Sequence, residues 1–132
     1  MKLYGYCRIS TRKQNIERQV RNILTVFPDA IIIREIYTGT KFQGRKELEK
    51  LLKIVQTGDT IIFDSVSRMS RNADEGFQLY EELFRKGIHL IFLKEPHINT
   101  DVYRRNMNPD IQMTGEKADI LLEAVKRYLL EV

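Results

Sequence analysis

At 132 residues the chain is the size of one compact domain, and its 42% hydrophobic and 30% charged residues exclude a disordered segment. No run approaches the ~18 apolar residues of a membrane span, and Arg8, Arg12 and Lys13 break any signal-peptide pattern, so the sequence reads as a single cytoplasmic domain over residues 1–132. The single cysteine, Cys7, excludes an internal disulfide and a multi-cysteine metal site, and a net charge of +4 suits a polyanionic partner without requiring one.

Leu3 to Ile9 is short, aromatic and apolar and reads as a central strand, with Cys7 as a small buried filler and Ser10 at its carboxyl end. From Lys13 onward Ile16, Val20, Ile23, Leu24 and Phe27 recur at steps of three and four, which predicts a helix with one buried face, stopped at Pro28-Asp29. Ala30 to Ile36 opens with a β-branched run and predicts a second buried strand. Tyr37 to Gly44 has neither period and reads as a mobile loop. Leu48, Leu51, Leu52 and Val55 then mark a helix ending at Thr57-Gly58-Asp59, with Gly58 as a left-handed cap.

Thr60 to Phe63 is the third strand. The polar corner Asp64 to Asn72 leads into a helix with Phe77, Leu79, Tyr80, Leu83 and Phe84 on its apolar side, capped by Gly87. Ile88 to Leu93 is the fourth strand, ended by Pro96. Asn99 to Gly115 reads as irregular, and a last amphipathic helix from Gly115 carries Ile120, Leu121, Ala124, Val125 and Tyr128 toward Val132.

Strands alternating with helices predict a three-layer α/β/α domain with a mainly parallel sheet of four to five strands and right-handed crossovers. In such sheets ligands bind outside the carboxyl ends of the strands. Ser10 and the Asp64 to Arg71 corner both belong to that edge, with Arg8, Arg45, Arg68 and Arg71 at strand ends or loop-helix junctions. A serine attacking a phosphodiester builds a crowded, highly anionic transition state, which arginine suits because its planar fork stays charged and donates paired hydrogen bonds to phosphate oxygens. Taken singly, a serine after a strand is a turn residue and surface arginines are solvated or paired. Arg8 stands out, since the rest of its strand is apolar.

Tyr6-Cys7-Arg8-Ile9-Ser10-Thr11, Gly44-Arg45 before a Leu-rich helix, and Ser67-Arg68-Met69-Ser70-Arg71-Asn72 together resemble the catalytic domain of the serine recombinases, the resolvase/invertase family. The resemblance runs through the chain in order and spacing. It implies that Ser10 attacks DNA to form a 5′-phosphoserine link and release a 3′-hydroxyl, with strand exchange and religation following. Arg8, Arg45, Arg68 and Arg71 would hold the scissile phosphate, with Gln14, Gln19, Tyr6, Asp64 and Ser67 in support. The expected partner is double-stranded DNA, bound by a homodimer that becomes a tetramer in the synaptic complex, with no metal, nucleotide or other cofactor and no membrane. The covalent link conserves the phosphodiester, so ATP is not needed.

The chain departs from the family pattern at Ser67, where an aspartate is frequent, and at Gly39, where a hydroxyl residue is frequent and Thr38 and Thr40 flank it. The general acid and base are therefore unassigned, and His89 and His97 read as structural. The family continues its last helix into a small DNA-reading domain, so the resemblance also implies a catalytic portion of a longer protein, with Tyr128, Leu129 and Leu130 at an interface or packed within the domain. Two other classes fit the basic edge: a non-catalytic module that binds nucleic acid or phosphate, and a small α/β phosphatase or hydrolase, for which no metal-ligand set or poised base is evident.

Overall fold

Among the described residues the apolar runs of the sequence become four strands: β1 (Leu3–Ile9), β2 (Ile31–Ile36), β3 (Thr60–Phe63) and β4 (His89–Phe92). In the computed structural model, which describes residues 1–9, 15–36, 45–70 and 72–102, they pair throughout in parallel in the order β2-β1-β3-β4. The expected Tyr37–Gly44 loop and the helix from Gly115 lie outside the described residues.

Alternation along each strand divides the core into two layers. Tyr4, Tyr6, Ile61, Phe63, Leu90 and Phe92 face one side, where α2 (Lys46–Ile54) and α4 (Ala73–Arg85) pack with Leu48, Leu51, Leu79, Tyr80 and Leu83. Cys7 and Ile62 face the other, under Val20 and Ile23 of α1 (Glu17–Val26). The α/β/α layering expected from the sequence is the observed one. Three register-paired aromatics cross the sheet: Tyr6 meets Phe63 edge-on at 5.8 Å, and Phe63 stacks on Phe92 at 5.3 Å. Tyr80 of α4 extends the row, and its hydroxyl donates to the Ile98 carbonyl at 2.7 Å.

Element ends follow local chemistry. The first helix begins at Glu17, where the Asn15 side chain accepts from the Glu17 amide and turns the chain just before it. Gly87, at φ +78°, closes α4 in a Schellman motif: its amide bonds the Phe84 carbonyl and that of Ile88 bonds Leu83. Gly58 is also left-handed, at φ +93°, but it does not cap α2, which stops at Ile54. It sits in the Gln56–Asp59 turn, where the Asp59 carboxylate accepts from the Gln56 and Lys2 amides.

Past β4 the chain is more regular than its lack of period suggests. Pro96–Ile98 is a 3₁₀ turn and residues 100–102 are helical, correcting the irregular reading at its start. Asn99 and Thr100 fold back on β4, their side chains accepting from the Phe92 and Leu90 amides. Those bonds cover a sheet edge that would otherwise be open to pairing.

The approach of α1 to the sheet is set at Gly5. A Cβ there would lie 2.9 Å from Ile32 Cδ1 and 3.0 Å from Ile23 Cγ2. Gly5→Val is therefore expected to lower the unfolding free energy by about 1–3 kcal/mol through overpacking. The measurement is the urea midpoint at unchanged m-value, and a midpoint equal to that of the parent would contradict the close approach.

Candidate active site

With β1 flanked by β2 and β3, chain connections leave in opposite directions at the β1/β3 boundary, the place where sheets of this order bind ligands. Directly after β3 the corner predicted from the sequence is a single helical turn, α3 (Val66–Met69). A helix this short leaves nearly all its backbone groups unpaired within itself, and its surroundings must supply partners.

Two buried guanidinium groups supply them at the carboxyl end. Arg8 is 1% exposed and lies on the same face of β1 as Tyr6; its Nη2 donates to the Ser67 carbonyl at 2.8 Å and its Nε to the Arg68 carbonyl at 3.3 Å. Arg45, fully buried at the start of α2, donates from Nη1 to the Met69 carbonyl. At the other end the Glu95 carboxylate accepts from the Val66 amide at 2.8 Å. The cations at the carboxyl end also match the helix dipole. A buried carbonyl without a partner would cost about 1–3 kcal/mol, so these bonds fix the corner.

The supporting residues named from the sequence acquire definite partners. Gln19 is buried, and its side-chain amide accepts from the Arg8 amide at 3.0 Å and donates to the Arg8 carbonyl at 2.8 Å. It stands in for a neighbouring strand two residues past Tyr6↔Phe63, where the β1/β3 pairing ends. Tyr6 donates its hydroxyl to Glu35 Oε1 at 2.9 Å, and burial first, then the Glu35 charge, raises its pKa. Asp64 is buried, accepts from Asn22 Nδ2 at 3.0 Å and faces Lys94 Nζ at 3.3 Å. Ser67 turns its hydroxyl to Ser65 at 2.8 Å. Cys7 is fully buried and desolvation pushes its thiol up to about 12, as suits a filler.

Arg68 differs from Arg8 and Arg45. Its side chain is half-buried, lines a cleft of about 500 Å³ beside Ile9, Gln19 and Asp64, and its Nε has no hydrogen-bond partner among the described residues. Ser10, Gln14 and Arg71 lie outside the described residues. The structure thus brings Arg8, Arg45, Arg68, Gln19, Asp64 and Ser67 to one sheet edge, with Tyr6 beneath. His89 is half-buried in β4 and His97 exposed in the 3₁₀ turn.

Sequence reasoning missed two carboxylates. Glu35 of β2 is buried and accepts from the Glu47 and Leu48 amides as well as from Tyr6, capping the first turn of α2. Arg45, at the N-cap, has no side-chain cap of its own. Glu95 serves the amino end of α3 from the segment after β4, the strand beside β3. A charged residue inside a predicted strand was the available signal for Glu35, the same signal that marked Arg8.

Fold and site together define an α/β domain that gathers arginines at the carboxyl edge of a parallel sheet. Residues 3–126 match the family described as "Resolvase, N terminal domain", and the chain belongs to that family. Among similar proteins, the transposon Tn21 resolvase of Escherichia coli is 33% identical over 93 residues, covering 69% of this chain and 46% of that one. The Tn501 resolvase of Pseudomonas aeruginosa is 37% identical over the same length and coverage. The DNA-invertase hin of Salmonella typhimurium is 36% identical over 89 residues, 67% of this chain and 46% of that one. The chain spans about half the length of the curated relatives it matches. A crystal structure of a resolvase family site-specific recombinase from Streptococcus pneumoniae superposes with a TM-score of 0.55 at 18% identity, covering 99% of this chain and 89% of that one, and shares the fold. No helix among the described residues is long and apolar enough to cross a membrane.

The Glu95 contact generates a pH prediction. Burial raises its carboxyl pKa, assisted by Asp64 and opposed by the Val66 amide, Lys94 and His97. With the folded pKa above the unfolded one, its stabilising contribution is complete below the unfolded pKa and is lost as pH rises through the folded one. Glu95→Gln keeps an acceptor for Val66 and removes the charge. Its stability relative to the parent should therefore increase between about pH 4 and pH 8, measured by denaturation at each pH; a difference independent of pH would overturn the assignment.

Proposed function

We propose that the chain is the catalytic domain of a site-specific DNA recombinase, a single domain over residues 1–132, in which Ser10 is the nucleophile. The observation that carries the reading is the α3 corner, pinned by Arg8 and Arg45 at the β1/β3 edge, with Arg68 directed to the cleft there. Family membership and the names of the similar resolvases and invertase support it.

Ser10 Oγ forms a bond to phosphorus as the bond from phosphorus to the 3′-oxygen breaks; the serine loses its proton and the 3′-oxygen gains one. Religation runs the same exchange in reverse. Arg68 and Arg71 neutralise the non-bridging oxygens, where a fork held in place before the reaction stabilises developing charge better than mobile solvent. Arg8 and Arg45 also contribute positive charge to this edge, while their bonds to α3 hold Arg68 in register. Asp64, Ser67 and Gln19 order the surroundings, and Gln14 belongs to the same shell. The substrate is double-stranded DNA, and the working assembly is a dimer that pairs into a tetramer.

In the parent protein, Ser10→Ala should abolish the covalent adduct with a nicked duplex while DNA binding persists. Mass spectrometry for an oligonucleotide linked to Ser10 is the readout. An adduct that survives the substitution removes Ser10 from the role, and salt-dependent binding with no adduct in either protein indicates the non-catalytic module. Arg68→Lys should slow strand cleavage about a hundredfold, because lysine keeps the charge but loses the fork; equal single-turnover rates would refute that geometry.

A further inference from the structure

The cleft at Arg68 extends beyond the corner. Arg18 and Arg21 of α1 and Lys94, just past β4, also line it, so three guanidinium groups and one ammonium share the cleft with the Asp64 carboxylate. Asp64 is already engaged, one oxygen by Asn22 and the other by Lys94. Positive charge therefore remains in excess inside a concave site.

Three exposed cations elsewhere on the helices have carboxylate partners of their own. Lys50 faces Glu47, Arg85 faces Glu81 and Lys86 faces Glu82, each one helical turn away. Arg21 has the same opportunity, since Glu17 stands four residues before it, in the favourable order for a helical ion pair. Glu17 is instead taken by Arg34 of β2, whose Nε and Nη2 contact its two oxygens at 3.0 and 3.3 Å. No carboxylate pairs with Arg18 or Arg21 among the described residues. Arg34 thus withdraws the carboxylate that would neutralise the cleft wall, and Arg68 Nε, buried and without a partner among the described residues, lies at its inner end.

We infer that Arg18, Arg21 and Lys94 form a subsite for a second backbone phosphate of the DNA, beside the one that Arg68 contacts. This rests on the proposed function for its ligand. A polyanion with regularly spaced phosphates fits this array better than a single small anion, because the cations extend from the corner along α1 and would engage more than one phosphate. The subsite orients the strand so that its neighbouring phosphodiester lies at the end of β1. It carries no base readout, and its contribution to binding depends strongly on salt.

The test is fluorescence anisotropy of the intact chain with a labelled duplex of random sequence, about 30 base pairs long, between about 50 and 200 mM salt. Arg18→Gln with Arg21→Gln should reduce the slope of log affinity against log salt by about two. The charge-matched pair Lys50→Gln with Lys53→Gln on α2 should leave the slope near that of the parent. Arg18→Lys with Arg21→Lys should restore it, which also excludes a folding defect. Equal effects of the two glutamine pairs, or no effect of the first, would overturn the subsite. The Ser10 adduct assay on the parent protein is a separate readout: a parent that forms the adduct but shows an unchanged slope in the Arg18, Arg21 variant removes the subsite alone, whereas a parent that forms no adduct removes the recombinase reading.

Discussion

The domain's site depends on backbone carbonyls that have no partners of their own. The α3 turn is too short to satisfy itself, and the three carbonyls at its end are met by Arg8 from β1 and Arg45 from α2. Two elements far apart in sequence are thereby fastened to one corner by charge-assisted bonds, which are stronger than bonds between neutral groups. Positive charge and rigidity come from the same side chains. A guanidinium has five donors in a fixed fork, so it can hold a carbonyl and still contribute its full charge to the surrounding field.

The same logic governs the neighbouring elements. Gln19 replaces a missing strand beside Arg8, Glu35 replaces a missing cap on α2, and Glu95 takes the amide at the start of α3. Each is a buried polar side chain completing a backbone element interrupted near the site. The aromatic row Tyr6, Phe63, Phe92 and Tyr80 lies beneath and gives these polar contacts an incompressible floor. Preorganisation at the surface is built on packing below it.

The strands and major helices were legible because apolar runs bounded by Gly, Pro and Asp specify both type and length; β1 and β3 have the extents read from their sequences. Arg8 was legible as an anomaly, an arginine in an apolar strand. Its hydrogen-bond partners were not, since a four-residue helix is too short to show a period and a carbonyl leaves no mark in sequence. Gly58 was recognised as left-handed while its place in a separate turn was not. Glu35 was passed over because a charged residue near a strand end reads as solvent-facing, although the α2 amides above it make burial favourable. The link between Arg34 and Glu17, which leaves Arg21 to the cleft, joins residues seventeen positions apart and follows only from the crossover of α1 over the sheet.

Glu35 has one further consequence. Its strand opens Ile31-Ile32-Ile33, a run that presents an isoleucine to either face whichever way the strand is shifted by one residue. Hydrophobicity alone therefore leaves the pairing of β2 with β1 nearly degenerate. A one-residue slip would carry the Glu35 carboxylate to the opposite face, away from the Tyr6 hydroxyl and the two α2 amides that it accepts from. The buried acid thus acts as an alignment key, letting an edge strand of interchangeable isoleucines dock in one position and bringing Arg45 to the corner with it.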